Sequence, residues 1–558
     1  MKLGPSQTIY TDVLVIGSGG AGLRASIEAR RRGAETVLVS KSRVGYGDNT
    51  VLSGAGIAAC LGKPELQDTP EAHMLDTLAA GRFVNDQRLV DAMVRGAGRE
   101  IQDLESFGVE FHKRDGELVL MGPIAGHSHP RILHPTESGG IHLSKPMRGH
   151  AAKIGVRFQE HALITRLLKS GQTVVGALGV DREGKLLVIK AKATVLATGG
   201  LGQVYLRSDN ALGATGDGFA LAYEAGAALK DMEFIQFYPT RRAEHNAGPG
   251  ITGVIYEHVV ITGGAIIRNS LGEDILVRHG LTDRQSITRD VVSRAVMTEI
   301  SEGRDVSGAV LVDCTDVSAD TWQRLRKSGS AGIPPERGIF RVAPAALFCM
   351  GGIKINEDCE TALDGLFAAG EAAAGVHGAN RLAGNAMIEI YVAGSIAGGR
   401  AAERAQRAEP ALLDKGELAA EIKRLEGFGS PGGNEKINDI QTLLKETMWQ
   451  RAGIIRSEES LREALKVIAT CGQRLQHADV RDHRRLAGAL SLESMLTVSE
   501  MICRAALQRT ESRGAHYRSD YPDEDNGHWL KNTVLSKHRD EMALSLEDVD
   551  LAFMKPEG

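Results

Sequence analysis

The sequence predicts an α/β protein in which a parallel-sheet core is interrupted by an inserted α+β segment and followed by a helical C-terminal region. Three observations carry this reading. Short apolar runs end in glycine clusters at widely separated places, the first of them is followed by a helix and a second strand, and from Ala401 the chain turns charged with helical periodicity.

The elements follow in order. Residues Thr11–Ile16 (TDVLVI) read as a buried parallel strand that runs into Gly17-Ser-Gly-Gly-Ala-Gly22. LRASIEARRR, Leu23 to Arg32, reads as a helix stopped by Gly33, and ETVLVS as the second strand, completing a βαβ unit. A third strand, ATVLA from Ala193, ends in Thr198-Gly199-Gly200, and GLFAAGEAA from Gly365 repeats the strand-then-glycine pattern. The core domain is therefore expected to be discontinuous, over residues 1–237 and 349–430. Between its halves, 238–348 reads as an inserted capping domain with a helix around Asp290 to Glu302. After a break at Gly427–Gly433, residues 440–558 read as a helical domain, with amphipathic helices to about Arg509.

Composition narrows the partners. With 66 Lys and Arg against 71 Asp and Glu, a formal charge of −5 and no long basic block, the chain lacks a nucleic-acid or membrane-surface footprint, and a small ligand is expected. The six cysteines are scattered without a C-x-x-C pair, so neither a disulfide framework nor an internal zinc or iron–sulfur site is expected. No uncharged run reaches the roughly 20 residues that span a bilayer, and no basic-then-apolar signal opens the sequence, so no direct membrane insertion is expected. A cytoplasmic location fits, with any membrane association supplied by partner subunits. The histidines 127, 129, 134, 142 and 150 crowd one segment, but their spacing fits no metal-binding pattern, and no metal is assigned.

Gly17, Gly19 and Gly22 form G-x-G-x-x-G at a strand-to-helix turn, where backbone amides and the helix N-terminus meet a pyrophosphate. A Rossmann-like domain also wants an acid at the end of its second strand to hold the adenosine ribose; here Ser40-Lys41-Ser42 stands instead. Glu371 is the better candidate for a ribose ligand, since a carboxylate accepts from both hydroxyls.

Four stretches together resemble the flavoprotein subunits of succinate dehydrogenase and fumarate reductase, a family that includes L-aspartate oxidase. They are GSGGAGLRAS with its following strand, ATGDG (Ala214 to Gly218), RDVVSRA (Arg289 to Ala295) and GLFAAGEAAAGVHGANRLAGNA (Gly365 to Ala386); ESRGAHYRSDYP (Glu511 to Pro522) is similar as well. The resemblance implies a Rossmann-like FAD-binding domain, a cap that closes over the flavin and a C-terminal helical domain. It implies FAD contacts from Gly17, Gly19, Gly20, Ala21 and Gly22, from Ser40 and Lys41, and from Asn49, Thr50, Ser53 and Gly54. Further contacts are implied for Gly199, Gly200, Asp217, Glu371, Arg381, Asn385, Ala386, Met387 and Ile388. Respiratory members attach the flavin covalently through a His in a Ser-His-Thr-Val-like stretch; the matching position is Asn49, so FAD is expected to be non-covalent. Without that link, reduction of an alkene or oxidation of an easily oxidised substrate is favoured. The C-x-x-C-H haem motif is absent, so electrons are expected to pass to an iron–sulfur partner subunit or a diffusible acceptor.

In this family a hydride moves between flavin N5 and one carbon while an arginine exchanges a proton at the neighbouring carbon. Arg289 matches that arginine, Glu257 its acidic relay, and Arg381 the arginine that clamps a substrate carboxylate bidentately. Tyr238 stands where the family has a His in EF-x-QF-His-Pro-Thr, Leu347 stands for a second His, and Val260 replaces a relay arginine. His127 is a further residue expected near the substrate. Two lost imidazole donors leave one carboxylate of a dicarboxylate unpaired. A small substrate with one carboxylate and an apolar or aromatic arm is therefore expected; a dicarboxylate met by Tyr238 or Tyr256 in place of the lost donors, L-aspartate oxidase, and an electron-transfer subunit with a decayed site stay open as alternatives.

Overall fold

A computed structural model describes residues 3–122, 124, 126–137, 139–243, 259–261, 263–283, 287–327, 337–409, 414–429, 433–539 and 541–556. Strand β1 (Gly4–Ile16) enters helix α1 (Gly20–Arg31), which returns as β2 (Thr36–Val39); β3 (Lys185–Leu196) lies on the other side of β1. All three run parallel, with Ile16 beside both Val39 and Leu196. Val13, Leu14 and Val15 are fully buried, as expected of a strand covered on both faces. The first strand is longer than the apolar run suggested, because residues 7–10 pair with the long β3 while remaining outside the core.

The seven-stranded sheet also takes Arg157–Gln159 beside β2, and the antiparallel strands Thr173–Asp181 and Ala162–Ser170 beyond β3. Leu366–Ala368 pairs with Thr194–Leu196 at the carboxyl end of β3, so the sheet is completed by residues far along the chain. Helix α2 (Asn385–Arg407) then packs across α1. The carboxyl ends of β1, β2, β3 and Leu366–Ala368 open on one crevice, the place where such sheets bind ligands.

Over that crevice lies a second antiparallel sheet, in the order Ile235–Arg242, Ile339–Cys349, Val310–Asp313 and Ile266–Arg268. The helix Arg289–Ser301 is fastened to its first strand, the Ser293 hydroxyl donating to the carbonyl of Phe237 (2.9 Å). Beyond residue 436 come the helices Ile437–Arg451, Glu458–Gln476 and His483–Gln508. The last is the one described helix long and apolar enough to cross a membrane, and 61% of its most apolar stretch is buried inside the protein.

The C-terminal region is not wholly helical. The hairpin Lys531–His538 and Glu541–Asp548 pairs through Leu535 and Val534 with Leu229–Lys230, which in turn pairs with Gly352–Ile353. The end of the chain is thereby stitched to the segments on either side of the cap.

Candidate functional site

The crevice is one cavity of about 1290 Å³ running from the ends of β1 and β2 to the underside of the cap. Gly17 turns with φ +111°, and a Cβ there would stand 2.1 Å from the Ala197 carbonyl oxygen. A Cβ on Gly22 would stand 2.0 Å from the carbonyl oxygen of Gly17. Glycine is required at both, and Gly22 acts by letting the helix start close under the turn rather than by lining the cavity.

Gly17, Gly19, Gly20 and Ala21 do line it. Helix α1 begins there with Gly19 as N-cap and no side-chain cap, so its first amides face the crevice, where an anion is favoured. The Thr50 hydroxyl accepts from Gly20 N–H (3.0 Å). Ser40, Lys41, Ser53, Gly54, Gly199, Gly200 and Asp217 complete this end. Lys41 pairs with Asp217 and donates to Thr215 (2.8 Å), tying the end of β2 to the ATGDG turn. Two buried polar atoms facing this end, Asp48 Oδ2 and Thr198 Oγ1, have no hydrogen-bond partner among the described residues. Burial pushes the Asp48 carboxyl up to about 6. A donor-lined, glycine-floored crevice with unpaired polar atoms fits a phosphate- and hydroxyl-bearing dinucleotide.

Glu371, the expected ribose ligand, lines the cavity at a place of its own. It follows Leu366–Ala368, three strand intervals or about 14 Å from β2, where the second-strand acid of a Rossmann-like domain would lie. Its Oε1 accepts from Cys349 N–H (3.1 Å) and its Oε2 from the Asn49 amide (3.2 Å), while Asn49 Oδ1 accepts from Ala211 N–H (2.8 Å). Burial raises this carboxyl to about 7. Glu371 and Asn49 thus bridge the crevice towards the cap.

At the cap end Arg289, Arg381 and Tyr238 come together with Leu347 and Phe348 on the cavity wall. Gln236, fully buried, organises them: its Oε1 accepts from Arg381 Nη2 (2.8 Å) and Arg289 Nη1 (3.4 Å). Its Nε2 donates to Asn380 Oδ1 and the Arg381 carbonyl, both at 2.8 Å. The Arg289 guanidinium lies 5.5 Å from the Tyr238 ring centroid, and that of Arg381 lies 5.0 Å from the Phe348 ring centroid, so each stacks on an aromatic wall. Arg289 is the first residue of its helix, the end where a positive charge is least favoured and an anionic neighbour most welcome. Behind them Arg241 Nε pairs with Asp209 Oδ1 at 2.8 Å, and burial lifts the Asp209 carboxyl to about 6 despite that partner.

Several expected contacts lie elsewhere. Asn385 is buried away from the cavity, its amide held by His73 and Thr77 (both 2.9 Å), and Ile388 belongs to the hydrophobic core; only their neighbours Ala386 and Met387 reach the wall. His127 does not line the cavity either. Its Nε2 meets the Ala383 carbonyl (2.8 Å), its Nδ1 faces Arg131 (3.1 Å), and burial pushes it down to about 4, so it is a neutral brace under the Arg381 loop. Arg131 is itself locked by Asp68 and Asp76. Of the other histidines of that segment His134 lines the cavity, while His150 lies against Phe107 and His142 beside Glu137. Glu257 lies outside the described residues.

Sequence reasoning missed Gln236, Asp209 and Asn210, which donates to the Leu347 carbonyl (2.7 Å). It also missed the C-terminal helices, whose Asn438, Gln441 and Ser491 line the far end of the cavity.

The FAD binding domain family matches residues 12–387, and the fumarate reductase flavoprotein C-terminal family matches residues 441–558. An uncharacterised FAD-dependent oxidoreductase of Methanocaldococcus jannaschii is 35% identical over 532 residues, 94% of this chain and 96% of the relative. A fumarate reductase (CoM/CoB) subunit of Methanothermobacter marburgensis is 34% identical over 547 residues, 95% of this chain and 98% of the relative. A solved chain of E. coli quinol fumarate reductase superposes with a TM-score of 0.88 at 29% identity, covering 99% of each chain.

Proposed function

Because the chain belongs to the family of fumarate reductase and succinate dehydrogenase flavoproteins, and is an FAD-dependent oxidoreductase acting on CH–CH bonds, we propose that it reduces the double bond of a small unsaturated acid bearing one carboxylate and an apolar or aromatic arm. The observation that carries this is the reaction end itself. Two arginines share the Gln236 oxygen, while the positions that would receive a second carboxylate are Tyr238 and Leu347.

FAD supplies hydride chemistry at N5. Around it the chain's residues have separable tasks. Gly17, Gly19 and the first amides of α1 would hold the pyrophosphate, and Glu371 with Asn49 would meet hydroxyl groups of the cofactor. Arg381 clamps the substrate carboxylate in the planar, two-pronged manner that suits guanidinium. Arg289 delivers a proton to the carbon next to the one that receives hydride, and Glu257 resupplies Arg289. The cap sheet, carrying Tyr238 and Leu347, closes the end and excludes water. An amide at position 49 cannot act as the family's linking histidine, so FAD is held non-covalently.

A fumarate carboxylate set against Leu347 would lose charged hydrogen bonds worth about 3 kcal/mol, about two decades of affinity. An iron–sulfur partner would supply the electrons to bound FAD, since the six cysteines of this chain are single, buried thiols. The test is reoxidation of the dithionite-reduced holoenzyme, followed by flavin absorbance, against fumarate, an aryl-acrylate and oxygen, with reduction of the oxidised holoenzyme by L-aspartate as the separate test of an oxidase. Fast reoxidation by the aryl-acrylate and slow reoxidation by fumarate supports the reading; efficient fumarate turnover overturns it.

A further inference from the structure

The motif Glu511–Pro522 contributes nothing to the cavity wall, yet its charged side chains are drawn deep into the protein. Arg509, Glu511, Arg513 and Glu233 have side chains with no exposed surface. Glu511 Oε1 accepts from Arg509 Nη1 (2.8 Å) and Arg513 Nε (2.7 Å). Its Oε2 accepts from Arg513 Nη2 (2.9 Å) and Asp525 N–H (2.9 Å). Arg509 Nε in turn meets Glu233 Oε1 (2.7 Å), whose other oxygen accepts from the Thr533 hydroxyl (2.7 Å). Buried charges of this kind demand good geometry, because each is uncompensated if its partner moves.

Two arms leave this node, and each reaches a residue two or three positions along the chain from the reaction site. Glu233 lies three residues before Gln236, on the lead-in to its strand. On the other side Arg513 Nη1 donates to the Arg82 carbonyl (3.2 Å), and the next residues form a backbone strap. Ala515 N–H donates to the Ala379 carbonyl (2.9 Å), and Ala379 N–H donates to the Gly81 carbonyl (2.9 Å). Ala379 is two residues before Arg381. Between them Gly514, at φ +52°, lies so close that a Cβ would stand 2.5 Å from the Ala379 oxygen.

We propose that Glu511 and Arg513 are positioning residues for the reaction end: their ion pair, acting through the Ala515–Ala379 strap and the Arg509–Glu233 arm, holds Arg381 and its Gln236 acceptor in register with Arg289. This rests on Arg381 being the carboxylate clamp. The C-terminal domain thereby sets substrate affinity without touching substrate.

The experiment uses full-length holoenzyme carrying Glu511→Gln, Gly514→Ala or Arg381→Lys. Gly514→Ala removes no charge and keeps the test open if Glu511→Gln fails to fold. Carboxylate affinity is read by titrating cinnamate into the oxidised enzyme and following flavin absorbance, and strap integrity by hydrogen–deuterium exchange of the peptide 376–383. Displacing the clamp by a few tenths of an ångström is expected to weaken cinnamate binding roughly tenfold. Exchange at 376–383 rises, while flavin content and exchange in helix 458–476 stay at wild-type values; Glu511→Asp restores part of the affinity. Wild-type exchange at 376–383 in a folded Gly514→Ala protein overturns the proposal. So does a rise in exchange spread evenly over the chain, which marks a merely structural role. If Arg381→Lys leaves cinnamate binding intact while the strap variants still loosen 376–383, the clamp reading fails and the strap stands.

Discussion

Replacing Gln236 by Leu removes one buried side chain and four polar contacts, and its cost can be worked from the geometry. The 2.8 Å bond from the Arg381 guanidinium is a charge-assisted one, about 2 kcal/mol, and the two neutral bonds from Nε2 are about 1 kcal/mol each. The 3.4 Å contact from Arg289 adds little enthalpy, yet it is what keeps two like charges on a common acceptor. The total, about 4 kcal/mol, divides between folding and catalysis. If three-quarters of it falls on the arrangement of the arginines, kcat/KM for the best acid from the reoxidation panel drops by about two decades. Gln236→Glu separates the two functions. It keeps an acceptor between the arginines but fixes an internal anion there, so KM rises from competition with the substrate carboxylate while kcat is largely kept. Steady-state kinetics on both variants, with flavin content as the control for folding, decides the matter. A Gln236→Leu enzyme within threefold of wild type in kcat/KM would refute the claim that this amide organises the site.

Other consequences can be checked directly. Gly22→Ala forces a Cβ against the Gly17 carbonyl at a cost of about 3 kcal/mol, so the purified variant should retain about a hundredfold less affinity for FAD, read from the flavin-to-protein absorbance ratio; full occupancy would count against the turn geometry. Acid precipitation of the holoenzyme should leave all yellow flavin in the supernatant, and a yellow pellet would show a covalent bond. Burial raises Glu389 to about 8, its Oε2 having no hydrogen-bond partner among the described residues, so the folded chain binds more protons than the unfolded one from the ordinary carboxylate range up to that value. Its contribution to stability falls as pH rises through that window. The buried histidines 73, 127 and 377, held down at about 3 to 4, act oppositely but only below about 6.5. The melting temperature of the apoprotein should therefore fall between pH 6.5 and 8, with Glu371 and Asp231, both raised to about 7, adding to its lower part, and Glu389→Gln should flatten the fall from pH 7 to 8; an unchanged slope there would mean Glu389 is not the titrating group.

The parts of the site that were legible in the sequence are those where chain geometry restricts residue type. Gly17 and Gly22 are there because nothing else fits, and the apolar run before them declares a buried strand. Arg289 and Arg381 were found through the motifs around them, since an arginine alone at a helix start reads as surface charge. Gln236 gave no such signal, because an amide within a strand looks the same whether it faces solvent or bridges two guanidinium groups. Asp209 and Arg241 meet across separate segments, a pairing no local pattern encodes. Glu371 stands out in the sequence as a carboxylate after a glycine turn, but its place beside Asn49 and Cys349 follows from strand order in the sheet and not from the residues around it. The C-terminal hairpin escaped notice for a related reason: its partner strands, Leu229–Lys230 and Gly352–Ile353, are two residues long and fall in remote segments.

The completion of the core sheet by Leu366–Ala368 has a bearing on how the protein is made. The crevice floor needs β1, β2 and β3, but the strand that carries Glu371 leaves the ribosome only after the whole cap has been synthesised. At about 5 to 20 residues per second that is roughly 20 to 70 s after the glycine turn has emerged, an interval in which the sheet lacks its fifth parallel strand. Cofactor loading is thereby deferred to a late stage of biogenesis, when the cap and the C-terminal stitching are being assembled. The cavity is complete only when Asn438, Gln441 and Ser491, later still in the chain, have taken their places on its wall.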